Sequence, residues 1–488
     1  MKFQIIILNI TPLKFAFENN RNDNDIFNYL LSLPEIEIGR DCFKNCEKLK
    51  KFTVPASVTF IGDYAFYGSK ILSDITIPSS VTSLHNHCFD GCVLLKNIQL
   101  PSSLESIGDF AFNNCNNLTK IDIPSSVKSI GDNFIDGCVN LESIMISSNV
   151  KSIGKLSLKN FTLLKEFIIP PCVTRIYEKE FDNCSSLEKI EIPPSVAHIE
   201  KYAFNYCIKL EQITIPPLVT SIEDGTFTHC ISLKTLIIPD LVTSIGFYAF
   251  DECESLVKIT FPPSVNKIGN TAFQSCMSLN KIDYENDLQN IEIVAELPEN
   301  IKTAFLGDTN SGKTCFLNRL LYNTFTEEMI KTDTASFSSK EFEFQGKKIN
   351  ANIWDTSGDE KFKNMVKLYT KDKNSAAIFF DINKPESFNK VEDYIKIIHD
   401  GSGQIPLVLI GNKCDLEHQV SIKDINELEK KYNAKYFEVS CKNDYNIREA
   451  SESLFFEAVN QDIRKKQNRM KNRIRDLIYN DEKKCKIY

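Results

Sequence analysis

A period of 23 residues governs the first half of this chain. From about Glu35 to Tyr284 the sequence repeats itself without an insertion. Pro55, Pro78, Pro101, Pro124, Pro170, Pro193, Pro216, Pro239 and Pro262 stand in one column, with Ser147 in its gap. Leucines from Leu49 to Leu279 form a second. Phe181, Phe204, Phe227, Phe250 and Phe273 mark a third, three residues ahead of a recurrent cysteine. In the unit Ser185 to Cys207, Leu187, Ile190 and Ile192 turn apolar groups inward around a short strand. The proline then stops that strand, having no N–H for a ladder. Val196 and Ile199 supply a second apolar pair on the returning side, and the turn Tyr202 to Cys207 tucks Phe204 and Cys207 under the next rung. One unit cannot bury such a face, but stacked units bury a continuous core. The period predicts a β-rich solenoid of about eleven rungs over 35–284, with Met1 to Leu8 as the first strand of a cap over 1–34.

Sixteen cysteines would suggest a disulfide framework, but nine of them, from Cys46 to Cys276, differ by multiples of 23. That slot wants a small buried hydrophobe, which a free cysteine is, so thiols in a reducing compartment are expected. The outward positions Thr76, Gln99, Asp122, Met145, Ile168, Glu191, Thr214 and Ile237 vary freely on the repeated frame. A varied column suits a protein-binding face; the alternative is a solvated face of no consequence. One rung is degenerate, with Ser147, Leu158 and Phe161 in place of proline, phenylalanine and cysteine. It either bends the stack or meets a partner. The units resemble leucine-rich repeats of the BspA type.

The second half is organised around G-D-T-N-S-G-K-T, Gly307 to Thr314. It fits a phosphate-cradling loop, in which small residues let backbone N–H groups converge on phosphate oxygens. Thr303 to Leu306 reads as the strand entering it and Cys315 to Leu321 as the helix leaving it, with its positive dipole end toward the phosphates. Lys313 would reach the β- and γ-phosphates, and the Thr314 hydroxyl would ligate Mg²⁺. Further motifs follow predicted strands in order. They are W-D-T-S-G-D-E from Trp354, N-K-C-D from Asn412 to Asp415, and Ser440-Cys441-Lys442.

Together these resemble the Ras superfamily of small GTPases, Rab proteins most closely, over Ile301 to about Val459. The resemblance implies a P-loop α/β domain over 301–462, a mostly parallel six-stranded sheet with helices on both faces. It also implies GTP and GDP as ligands with Mg²⁺. Gly307, Asp308, Thr309, Asn310, Ser311, Gly312, Lys313, Thr314 and Cys315 would hold the phosphates. Thr314, Thr332 and Asp355 would hold the metal, and Gly358 N–H would meet the γ-phosphate. Phe325 would pack on the guanine, Asn412 would serve N7, the Lys413 stem would cover the base, and Ser440, Cys441 and Lys442 would close the O6 side. Phe337, Trp354 and Tyr369 coincide with an aromatic triad that Rab proteins present to effectors; they are equally readable as ordinary core aromatics. Base choice has a physical cause. The Asp415 carboxylate can accept from N1–H and the 2-amino group of guanine, whereas adenine has neither donor and would leave a buried carboxylate unpaired, at roughly 2–5 kcal/mol.

Departures from the family pattern carry expectations. Asn310 stands where glycine is usual and tolerates a left-handed backbone. Asp333 and Thr334 replace an apolar residue and glycine in the first switch. Asp359 stands at the position of a water-orienting glutamine, so hydrolysis of GTP to GDP and phosphate by the set Lys313, Thr332, Gly358 and Asp359 is expected to be slow.

Between the halves, 285–300 reads as a linker ending L-P-E-N. Asn446 to Tyr479 reads as one helix, apolar on one face to Val459 and then basic. The segment 463–488 holds ten Lys/Arg against three Asp/Glu and places Cys485 fourth from the end, the prenylation position. It is either a lipidated, peripheral contact with a cytosolic membrane face or a solvated basic helix. A net charge of -8 gives no support for nucleic-acid binding, and no apolar run approaches the ~20 residues of a membrane span. The expected partners are effector, GAP and exchange-factor proteins, with a protein ligand on the repeats, in the cytoplasm. Three readings stay open: a GTP-hydrolysing switch whose repeats choose the partner, a GTP-binding scaffold that barely hydrolyses, and a surface adhesion protein.

Overall fold

The computed structural model describes residues 36–284, 288–327, 332 and 335–484. The cap expected over 1–34, the switch residues Asp333 and Thr334, and Cys485 lie outside them. The chain divides into two compact units, Met1–Val294 with Met470–Tyr488, and Ala295–Arg469.

In the first unit each rung contributes short strands to two parallel ribbons, and neighbours pair in register one period apart. Phe167 lies beside Ile190 and Ile259 beside Ile282 on one ribbon, and Ile107 beside Ile130 on the other. The phenylalanine column runs through the interior as a stack, with ring centroids 5.0 Å apart at Phe43–Phe66 and 5.4 Å at Phe250–Phe273. Each slot cysteine from Cys92 to Cys276 does more than fill space. Its thiol donates to the carbonyl 26 residues earlier, as from Cys184 to Leu158 at 3.2 Å and from Cys207 to Phe181 at 3.3 Å. Among the described residues every cysteine is a free thiol. Burial pushes those of Cys184 and Cys276 up to about 12, far from the thiolate that oxidation needs.

A further column, not anticipated from the period, holds the turns together. Asp63, Asn86, Asp109 and Asp132 each accept, through a side-chain oxygen, the backbone N–H of the residue one period later. The distances are 3.1 Å for the first pair and 2.8 Å for the others. This satisfies donors that a bare turn would leave orphaned. The run ends at Lys155, whose side chain has no acceptor oxygen to pass on.

Lys155 belongs to the degenerate rung. Leu158 and Phe161 there are fully buried, so core volume is kept. Both ribbons nevertheless stop here, as they do again after Lys189–Glu191 and His198–Ile199. One ends at Ser152–Ile153 and a new one starts at Arg175–Ile176; the other ends at Ser143–Ile146 and restarts at Glu166–Ile168. Glu180 bridges the gap. Only 3% exposed, it accepts from Leu156 N at 3.0 Å and from Tyr177 N at 2.7 Å. Burial lifts its carboxyl from the ordinary 4.5 to about 7, outweighing those two donors and Lys155, which pull it down.

The solenoid does not end where the period does. Glu292–Val294, inside the expected linker, adds one more strand, with Ile293 beside Ile268. The basic tail is also corrected. Met470, Ile474 and Leu477, on one stripe of the last helix, are buried in the solenoid core, and Arg473 donates to the Cys276 carbonyl at 3.3 Å. Three apolar residues spaced among many cations gave too thin a signal to read as a packed face.

In the second unit, β1 (Asn300–Gly307), α1 (Lys313–Tyr322), β2 (Ser336–Phe344), β3 (Lys347–Asp355), α2 (Lys363–Tyr369) and β4 (Ser375–Asp381) come first. Then follow α3 (Pro385–Asn389), α4 (Val391–Ser402), β5 (Leu407–Asn412), α5 (Ile422–Tyr432), β6 (Lys435–Val439) and α6 (Ile447–Lys484), whose residues from Met470 on belong to the first unit. The strand order is β2-β3-β1-β4-β5-β6. Neighbours are parallel except the antiparallel β2–β3 pair, so the sheet is mixed. Apolar side chains pack on both its faces. Phe305, Phe316, Phe379 and Leu454 belong to one core, and Leu306, Ile378, Ile395 and Leu428 to the other. With cover on both faces β4 is buried along its whole length, which is why it reads as an unbroken apolar run. No helix among the described residues is long and apolar enough to cross a membrane.

Glu180 gives the solenoid a pH dependence of definite sign. The folded state holds its proton more tightly than the unfolded chain, so this contribution is complete below pH 4.5 and is lost as pH rises through about 7. Melting of the wild type should therefore fall relative to Glu180→Gln over that window; a constant difference would refute it. Ile474→Ala, at a position with 0% exposure, should lower the stability of the solenoid by ~2–4 kcal/mol. Denaturant unfolding of the full chain measures this, and an unchanged midpoint would show that the tail does not contribute.

Candidate functional site

A cavity of about 520 Å³ opens at the carboxyl ends of the parallel strands, where loops rather than ladders supply the lining. The loop after β1 is shaped by backbone conformations that few residues adopt. Gly312 has φ 92, and a side chain there would collide with the Asn412 amide. Asn310 has φ 63, the left-handed conformation expected of it. Lys313 opens α1 and is buried, its Nζ donating to the carbonyls of Gly307 at 2.9 Å and Asp308 at 3.0 Å. Burial lowers its ammonium to about 8, against the pull of Asp355 and Asp308. An anion beside it would relieve that cost.

Three oxygen-bearing side chains meet next to this lysine. Thr314 donates to Asp355 Oδ2 at 2.6 Å and lies 2.8 Å from the Thr332 hydroxyl. Because the Thr314 proton is committed to Asp355, Thr332 is the donor of that second bond. The other carboxylate oxygen, Asp355 Oδ1, is buried without a hydrogen-bond partner, and burial holds this carboxyl above its ordinary value. An orphaned carboxylate oxygen beside two hydroxyls is a hard, all-oxygen donor set of the kind that suits Mg²⁺.

At the far end, Ser440 donates to Asp415 Oδ1 at 2.6 Å, fixing the carboxylate with its other oxygen available to the cavity. Phe325, Lys413, Leu416, Cys441 and Lys442 complete this end. Lys413 pairs with Asp381 at 2.6 Å, which holds its stem along the wall. Asn412, which also lines the cavity, has a further part beside the one expected of it. It is buried, with Nδ2 donating to Ser311 O at 3.0 Å and Oδ1 accepting from Cys441 N at 3.4 Å, so its amide ties three loops together.

Thr309, Cys315, Gly358 and Asp359 also line the cavity, whereas Gly307, Asp308, Ser311, Asp355 and Ser440 stand behind it. Gly358 lies so close to the loop after β1 that a side chain would strike the backbone of Asp308 and Thr309. Asp359 Oδ1 accepts from Lys361 N at 3.0 Å and so caps the turn Glu360–Phe362. Phe337 is 59% exposed and stands edge-on to Trp354 at 5.1 Å, with Lys373 over the Trp354 ring. Tyr369 is half-buried at the end of α2.

Several contributors were not legible in advance. Arg319 donates from Nε and Nη2 to Cys441 O, at 3.0 and 2.9 Å, and so holds the loop after β6. Lys442 pairs with Glu327 at 2.9 Å, and Lys384 and Leu416 line the wall. Lys442 apart, which was expected here and whose new feature is its partner Glu327, none belongs to a motif named above. Each was set by which loops the sheet brings together.

These features define a P-loop nucleotide-binding domain on a doubly wound sheet. Comparison with known families agrees. A model described as "Ras family" matches residues 302–461. A "BspA type Leucine rich repeat region" model matches in six copies over 36–163, 156–243 and 220–343. The last of these overruns into β2, which belongs to the six-stranded sheet. Ras-related protein Rab-13 of Bos taurus is 31% identical over 156 residues, 31% of this chain and 77% of the relative. Ras-related protein Rab-21 of Homo sapiens is 35% identical over 153 residues, 31% of this chain and 68% of the relative. The chain belongs to the Ras family as a Rab-like, GTP-binding small GTPase, fused behind BspA-type leucine-rich repeats.

Proposed function

We propose that this chain is a guanine-nucleotide switch with slow intrinsic hydrolysis, in which the repeats select a protein partner and the nucleotide state controls the engagement. The observation that carries this reading is the arrangement around one cavity: Lys313 and the threonine–aspartate cluster at one end, Asp415 at the other. Backbone amides of the loop from Gly307 to Cys315 and the Lys313 ammonium bind the phosphates. Thr314, Thr332 and Asp355 hold Mg²⁺, which supplies positive charge against the phosphate oxygens. Gly358 N–H faces the terminal phosphate. Asp415, its free rotation removed by Ser440, accepts from N1–H and the 2-amino group of guanine, while Phe325 and the Lys413 stem flank the base. Asn412 ties the loops together and keeps a second Nδ2–H to donate to the purine N7. Effectors, a GAP and an exchange factor read the segments around Phe337 and Trp354. The setting is the cytoplasm, or the cytosolic face of a membrane.

A second reading, a GTP-bound scaffold with little turnover, is favoured by Asp359. A glutamine amide can accept from the attacking water and donate toward the phosphate, whereas an ionised aspartate only accepts. It also sets a negative charge near anionic oxygens where screening is poor. Its engagement with Lys361 N further restricts its reach. A partner could supply the missing group in trans, as arginine fingers do with gains of ~10³–10⁵-fold.

Two measurements test these statements. Purified protein should bind GTP and GDP with Mg²⁺ and ATP at least ~1,000-fold more weakly, and Asp415→Ala should erase most of that ratio. Comparable affinity for ATP in the wild type would end the assignment. Single-turnover hydrolysis should be at least several-fold faster in Asp359→Gln than in wild type. An equal or lower rate would show that Asp359 has its own way of placing the water.

A further inference from the structure

On the solenoid, the residue four after each column leucine points outward from the first ribbon. On four successive rungs that position reads Asp122, Met145, Ile168, Glu191, with Asp122 in register beside Met145 and Ile168 beside Glu191. Met145 is 59% exposed and Ile168 62%. Elsewhere the column is polar, as at Thr76, Gln99 and Thr214, and Ile237 stands singly between Thr214 and Thr260. Two large apolar side chains left in water on adjacent rungs are therefore a local departure from a polar face.

The charge around the pair is not balanced. Asp122 and Glu191 are each held by a lysine of their own strand, at 2.9 Å from Lys120 and 2.6 Å from Lys189. Glu142, Glu166 and Glu188 are exposed and, among the described residues, form no ion pair. Lys165 is the one exposed lysine without an ion pair in these strands, and Lys189 stands in register beside Glu166, so over 119–122, 142–145, 165–168 and 188–191 five carboxylates face three lysines. With rungs roughly 5 Å apart, all of them lie within a few rungs of the apolar pair. The patch also falls where the strands of Met145 and Ile168 follow one another without forming a ladder, the interruption described above.

We propose that Met145 and Ile168 form a docking site for a peptide segment whose large apolar side chains are flanked by Lys or Arg. This rests on the reading of the repeats as an interaction module and names what they take. Apolar contact alone would accept any exposed hydrophobe; the uncompensated carboxylates decide the sign, attracting a basic flank and repelling an acidic one. Binding should weaken with salt, because the carboxylates are exposed and screened.

The experiment uses the full-length chain and three labelled peptides, read by fluorescence anisotropy. One has a Leu-Phe centre flanked by lysines, one the same centre flanked by glutamates, and one lysine flanks around a serine centre. The first should bind at least ~10-fold more tightly than either control. The double substitution Met145→Glu with Ile168→Glu should reduce it to control level, and Glu166→Lys should weaken it. All these positions are exposed, so the melting temperature and bound GDP should not change. Equal binding of the glutamate-flanked peptide, or no effect of the double substitution, overturns the proposal. If peptides bind but are lost instead on Ile237→Glu, the repeats remain an interaction module and this patch is not its site. If none binds, both ideas fall. A full-length dimer dissociated by the double substitution would assign the patch to a second copy and also overturn the proposal.

Discussion

The solenoid depends on one accounting constraint: backbone donors that the turns within a rung do not satisfy must find their acceptors about one period away. Ribbon strands do this through ladders, and the turns do it through Asp63, Asn86, Asp109 and Asp132, each reaching the next rung's N–H. The cysteine thiols extend the same logic inward by donating to carbonyls 26 residues back. Side-chain burial then follows, because rungs held in register put phenylalanine on phenylalanine and leucine on leucine. Where the side-chain column fails, at Lys155, the ladders fail too, and a buried glutamate is needed to satisfy the two N–H groups left over.

The nucleotide cavity obeys the opposite economy. Its polar groups are buried in excess of their partners: an ammonium lowered by burial, a carboxylate raised by burial, and an orphaned oxygen on Asp355. In an isolated domain such groups are costly; Lys313 is held by the Gly307 and Asp308 carbonyls and Asp355 by the Thr314 hydroxyl, within a mesh of bonds through Asn412, Ser440 and Arg319 that ties the surrounding loops. The mesh fixes charged groups that a phosphate and a cation would compensate. Asp359 departs from this pattern, since its carboxylate caps its own turn.

Much of the site was legible because its motifs are local. A loop that must bring several N–H groups to one point needs small residues at fixed spacing, so Gly307 to Thr314 declares itself within eight residues. Asn310 could be assigned a left-handed backbone for the same reason, and φ 63 agrees. Asn412 was named from its motif, but its part in tying the loops together was not legible. Its neighbours Ser311 and Cys441 are 101 and 29 residues away, and only the strand order makes them meet. The tail was misread for a related reason. Met470, Ile474 and Leu477 look like isolated apolar residues in a basic helix until the solenoid core that buries them is known.

By itself, then, the sequence determined the period, the identity of the buried columns and the phosphate-loop chemistry, since each follows from short-range repetition or from a motif within a few residues. Only the tertiary structure decided where the ladders break, how Glu180 repairs the break, which helix residues join the solenoid core, and which loops Asn412 and Arg319 bind together. Those depend on hydrogen-bond donors and apolar faces that meet across a rung or across the sheet, at separations for which the sequence carries no periodic signal.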